Sequence, residues 1–136
     1  MATLKFMASA CLAGVKCRYN GKVKKDKNIY LRVKRGHGLP LCPEQLGGLS
    51  TPRKGSQIKI KHGRKAVISS ASEDLTRFFL RGAYLSFRIG KRFKIDSAYL
   101  KKGSPSCGFG LKDRENKIVG ITSALFDKKG IKIYPR

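Results

Sequence analysis

The chain has 136 residues, 40% of them hydrophobic, with 31 Lys and Arg against 8 Asp and Glu, for a formal net charge of +23. The length suits one domain spanning residues 1–136, and the apolar content provides a packed core and argues against wholesale disorder. The charge calls for an anionic partner without saying whether it is a nucleotide, RNA or another polyanion, and no run of about 18 apolar residues is present to cross a membrane.

Residues 4–10 read as a first strand, short, nearly continuously apolar and buried on both faces. Lys5 precedes this run and Lys16 and Arg18 soon interrupt it, so it is expected to be a core strand, not a signal peptide. The expected compartment is then the reducing cytoplasm. Asn20-Gly21 signals a turn. Residues 22–35 are strongly basic, with Ile29, Leu31 and Val33 interleaved, and read as a weakly patterned helix stopped by Gly36-His37-Gly38. Residues 38–42 form a second strand. Ile58 and Ile60 alternate with Lys59 and Lys61, and Ala66-Val67-Ile68 follows His62-Gly63, so a hairpin is expected there. Ser72 is the expected N-cap of the best helix, with Glu73 and Asp74 at its positive end. Leu75, Phe78, Phe79, Gly82, Leu85 and Ile89 keep helical spacing, and Gly90 is expected to end the helix. Residues 95–100 read as a third parallel-type strand, residues 112–117 as polar, residues 118–126 as a segment ending in a short helix, and residues 131–134 as a last strand. Alternating strands and helices predict an α/β fold: a Rossmann-like open sheet, mostly parallel, with helices on both faces.

The four cysteines are Cys11, Cys17, Cys42 and Cys107. None forms the close C-x-x-C pair usual in zinc fingers, and spacing alone leaves both metal ligation and buried structural thiols open. Placement says more. Cys11, Cys42 and Cys107 each follow an expected strand, at or in a loop containing Gly or Pro. In an open α/β sheet the functional crevice lies beyond the C-terminal strand ends, so three cysteines far apart in sequence are expected to converge. His37 and His62 lie beside glycines in no ligand-like motif.

Six segments together resemble the thiouracil desulfidase family: Ser9-Ala10-Cys11-Leu12-Ala13-Gly14, Cys17-Arg18-Tyr19-Asn20-Gly21, Cys42-Pro43-Glu44-Gln45-Leu46-Gly47-Gly48-Leu49, Thr51-Pro52-Arg53, Phe79-Leu80-Arg81-Gly82-Ala83 and Ser104-Pro105-Ser106-Cys107-Gly108. They occur in the family's order over nearly the whole chain. The resemblance implies a 4Fe-4S cluster bound by three cysteines, with one iron open, and non-redox desulfuration of a thiolated pyrimidine base or nucleotide to the oxo base and hydrogen sulfide. Thiolates are the usual ligands of such clusters, and an open iron is a Lewis acid.

Within this resemblance, Cys11, Cys42 and Cys107 are the expected ligands, because each follows a strand, and Cys17 is expected to line the site or assist the chemistry. The alternative trio replaces Cys42 with Cys17. Glu44 is the candidate for activating water or moving protons. Ser104 and Ser106 are candidates for substrate hydrogen bonding or proton transfer, or else simply hold their turn. Arg18 and Arg53 are candidates for gripping a phosphate. Asn20 stands where the family often shows Asp, and the general basicity is unusual for the family. The other reading of the charge is an RNA-binding module with structural cysteines, or a desulfidase acting on thiolated RNA. Non-specific nucleic-acid binding accompanies either.

Overall fold

The structure, a computed structural model, describes residues 3–108 and 119–136. The polar stretch expected at residues 112–117, and the start of the segment expected at residues 118–126, lie outside the described residues. Four strands form one sheet: β1 (Phe6–Ser9), β2 (Gly38–Leu41), β5 (Ser97–Leu100) and β6 (Lys132–Pro135), in the order β2-β1-β5-β6 and parallel throughout. A separate antiparallel hairpin pairs β3 (Ser56–Lys61) with β4 (Arg64–Ser69). Its two-residue turn is His62-Gly63, both at positive φ (51° and 75°), the backbone that matches strand twist in tight hairpins.

Alternation along β1 feeds two cores. Phe6 and Ala8 pack with Ile29 and Val33 of α1 (Lys27–Lys34) and with Tyr99. Met7 points the other way, into a cluster with Ala98, Leu100, Phe87 and Phe126. That second face is covered by α3 (Thr76–Arg92) and α4 (Ile121–Lys128). Helices therefore lie on both faces, as expected for a buried parallel sheet. Asp26 caps α1, its Oδ1 accepting from the Ile29 amide at 3.2 Å; the sequence reading found the helix but not this cap.

The helix opened by Ser72 in the sequence reading begins at Thr76. Ser72 sits at φ 64°, in a turn where Ser69 Oγ accepts from the Ala71 and Glu73 amides. Residues 74 and 75 still run alongside β4, with the Leu75 amide donating to Val67 O at 2.7 Å. Asp74 Oδ1 instead accepts from the Thr76 amide at 3.0 Å. Gly90 does not end the helix, which continues to Arg92. It is glycine because a Cβ there would strike Met7 Sδ.

The short helix α2 (Pro43–Leu46) is locked to α3 by two glycines. A Cβ on Gly82 would collide with the Pro43 carbonyl, and one on Gly47 with the Phe78 carbonyl. Backbone thus lies directly on backbone where Cys42 and Glu44 are held. Gly82→Ala is expected to force these helices apart, costing about 2–3 kcal/mol for overpacking against groups that cannot yield. A thermal melt lowered by about 10 °C checks this, with activity falling alongside stability because α2 moves.

Candidate active site

A cavity of about 700 Å³ opens at the C-terminal edge of the parallel sheet, and all four cysteines line it. Each arrives by a different route. Cys11 lies in a 3₁₀ turn (Ala10–Ala13) directly after β1, closed by Gly14 at φ 92°. Cys42 is the residue between β2 and α2. Cys107 lies in the loop after β5. Cys17 belongs to the loop after the 3₁₀ turn and is 2% exposed.

The thiols interact. Cys17 is hydrogen-bonded through its side chain to both Cys11 and Cys42, and Cys42 Sγ also donates toward Cys17 O at 3.7 Å. Hydrogen bonding from Cys17 lowers the Cys11 thiol below its usual range and brings Cys42 down to about 7. Cys17 itself is pushed strongly upward, because it holds the proton both neighbours share. Burial pushes Cys107 up to about 12, against a counteracting hydrogen bond from Ser9. All four are free thiols. Among the described residues no three His, Cys, Asp or Glu side chains meet at the spacing of a single metal ion. A cluster of several irons instead takes thiolates at its edges, and free cysteines brought to one cavity by separate loops fit that donor set.

Glu44 is the one carboxylate among the described residues that line the cavity. Arg53 holds it, Nε donating to Glu44 Oε1 at 3.2 Å, with both side chains largely buried. Arg53 Nη1 also donates to Ser50 O at 3.0 Å and Thr51 Oγ1 at 2.9 Å. The structure thus places Arg53 behind Glu44 and outside the cavity lining, unlike Arg18, which lines it. Lys101, directly after β5, also lines the cavity, its ammonium lowered by burial and by repulsion from Arg18. The strand-end rule that singled out the cysteines points to Lys101 as well.

The two serines beside Cys107 separate. Ser104 lines the cavity, and its Oγ accepts from the Ser106 and Cys107 amides, each at 3.1 Å. Ser106 faces inward, bonded to Thr122 Oγ1 at 2.9 Å, and does not line the cavity. Ser9, not singled out in the sequence, lines it beside Cys107. Asn20 is away from the lining, its Oδ1 accepting from the Lys22 amide. The opposite wall is the hairpin and its flanks, with Gln57, Lys59, Ile68, Ser69 and Ser70. Sequence alternation revealed the hairpin but gave no sign that it faces the cysteines.

A family model described as 2-thiouracil desulfurase matches residues 6–136. The chain belongs to the 2-thiouracil desulfurase family. It is similar to a solved structure described as a [4Fe-4S]-dependent thiouracil desulfidase, TudS, at a TM-score of 0.83 and 33% identity over 98% of this chain and 91% of that one. It is also 30% identical to an uncharacterized protein of Bacillus subtilis (strain 168), YbbK, over 139 residues, covering 93% of this chain and 92% of that protein.

In cluster-free protein, alkylation of Cys42 by iodoacetamide is expected to rise with pH through a midpoint of about 7, because the thiolate reacts. Cys107 is expected to stay unmodified until about pH 12. Mass spectrometry of labelled peptides across a pH series checks the contrast. Separately, Arg53→Ala removes the partner of a mostly buried carboxylate and two further bonds. It is expected to cost about 2–4 kcal/mol in chemical denaturation.

Proposed function

We propose that the protein is a [4Fe-4S]-dependent thiouracil desulfidase that acts on a thiolated uracil nucleotide. The thiocarbonyl and one water become a carbonyl and hydrogen sulfide, with no electrons gained or lost. The observation that carries this reading is the convergence of free cysteines from three strand ends on one cavity, with the Glu44 carboxylate beside them. The placement of Cys11, Cys42 and Cys107 directly beyond β1, β2 and β5 supports these three as ligands. Cys17 then remains as a protonated thiol against two of them. A bound cluster with one iron lacking a protein ligand supplies a Lewis acid for the thiocarbonyl sulfur.

The protein's own groups provide the rest. Glu44, oriented by Arg53, takes one proton from the attacking water and a second from the resulting hydroxyl as the carbonyl forms, and passes each to the departing sulfur. Ser104 has its oxygen engaged by two amides, which leaves its O–H to donate into the cavity. Tyr19, the one aromatic side chain among the described residues lining the cavity, offers a face to the pyrimidine ring. Ser106 supports the Cys107 loop from behind through Thr122.

The cations distinguish a nucleotide from a free base. Arg18, Lys101 and Lys59 all line the cavity. The two salt bridges among the described residues, Arg53–Glu44 and Arg136–Asp26, involve none of them. A phosphate satisfies such cations, whereas an uncharged base leaves them facing each other. Lys101 thus takes the phosphate role the sequence assigned to Arg53, and Lys59 joins from the hairpin. Cytoplasmic residence and a single domain accompany this reading.

The test uses anaerobically reconstituted protein. Wild type is expected to convert 4-thiouridine monophosphate to uridine monophosphate with one hydrogen sulfide released per turnover; a loaded protein inactive on every thiolated pyrimidine would contradict the reading. Glu44→Gln is expected to keep its iron and lose roughly 10²–10⁴-fold in turnover. Lys101→Ala is expected to lose about 10–100-fold in kcat/KM on the nucleotide and to act on free thiouracil as wild type does.

A further inference from the structure

The cavity uses few of the chain's cations, and α3 concentrates many of the others. Its 17 residues contain no acid. Phe79, Gly82, Ala83, Ser86 and Gly90 are its buried side. At 3.6 residues per turn, Arg77, Arg81, Arg88, Lys91 and Arg92 fall within about 100° of arc on the opposite side, and all are exposed. Leu80 (55% exposed) and Tyr84 (54%) lie among them. From Arg77 to Arg92 this stripe runs about 22 Å. Neither salt bridge among the described residues involves it.

We propose that this outward face of α3 is a docking surface for single-stranded RNA. A line of guanidinium groups on one helix face complements a line of phosphates, and an exposed tyrosine between them gives a base a stacking surface. A second copy of the chain does not fit, because a two-fold contact would bring five cations against five. A membrane surface does not fit either. The exposed apolar side chains of α3, Leu80, Tyr84 and Leu85, lie among the basic residues and at the two sides of their stripe, with no face of their own, so the helix has no broad apolar face to insert. RNA is favoured over DNA because uracil is RNA's pyrimidine, a step that rests on the proposed reaction. The face begins at the N-terminal end of α3, shortly after Ser72 of the cavity wall. RNA held along it would keep the enzyme near a source of thiolated uridine without occupying the cavity.

The test is fluorescence anisotropy of a labelled single-stranded oligouridylate, with a salt titration, on the loaded full chain. The face variant carries Arg77→Gln, Arg81→Gln, Arg88→Gln and Arg92→Gln. The control variant neutralises the same number of exposed cations elsewhere: Lys27→Gln, Lys34→Gln, Arg35→Gln and Lys128→Gln. Wild type is expected to bind with a log–log salt slope of about −3.5, from five contacts at about −0.7 each. The face variant is expected to lose about 100-fold in affinity and about 2.8 units of slope; the control is expected to lose less than about 3-fold, as weakly screened distant charge. Tyr84→Ala is expected to lose about 10-fold through lost stacking. Matching thermal melts and unchanged turnover on 4-thiouridine monophosphate in the face variant keep this test separate from that of the reaction. Equal losses in face and control variants would overturn the proposal, as would preference of the face for single-stranded DNA, an acidic peptide or anionic vesicles over RNA.

Discussion

Everything at the site depends on the parallel pairing of β1, with β2 on one side and β5 on the other. Parallel strands send all their exits to one edge of the sheet. The exit loops of β1 and β5 then turn opposite ways, because the chain leaving β1 crosses to β2 on one flank and the chain leaving β5 crosses to β6 on the other. A crevice opens where they diverge, the usual ligand position in open α/β sheets. Residues separated by nearly a hundred positions in sequence, such as Cys11 and Cys107, become walls of one cavity. The glycine contact between α2 and α3 carries this geometry outward, fixing the helix that presents Glu44.

The sequence was most informative where pattern and placement coincide. The apolar run at residues 6–9 and the helical spacing from Phe79 report burial directly, and the Ile58 and Ile60 alternation reports the strand although Ile60 is exposed; each became the expected element. Convergence of the cysteines followed from strand-end logic. Helix boundaries were less legible. Ser72 is chemically a good cap, but the tertiary pairing of residues 74 and 75 with β4 delays the helix until Thr76. Gly90 looked like a stop because its role, clearance for Met7, is a contact distant in sequence.

Residue roles were harder still. Arg53 and Arg18 look alike in sequence, yet backbone bonding of Arg53 to Tyr19 O and its bonds to Ser50 and Thr51 aim it at Glu44. Ser104 and Ser106 are similarly divided by a partner, Thr122, on a distant helix. The hairpin wall has no chemical motif at all. The basicity becomes clearer in three dimensions because four of the six acids among the described residues have local duties. Asp26 caps α1, Glu44 meets Arg53, and Asp74 and Glu73 hold the turn before α3. Few remain to pair with cations, so the cavity and the outer face of α3 both stay positive.

The central claim is that three strand-end cysteines hold the cluster and Cys17 does not. Iron content per chain, measured after anaerobic reconstitution of four single Cys→Ser variants, tests it most directly. Wild type and Cys17→Ser are expected to retain about four irons, while Cys11→Ser, Cys42→Ser and Cys107→Ser lose most of theirs, since a three-ligand site has no spare. Loss of iron in Cys17→Ser with retention in Cys42→Ser would contradict the assignment and move the ligand set to Cys11, Cys17 and Cys107.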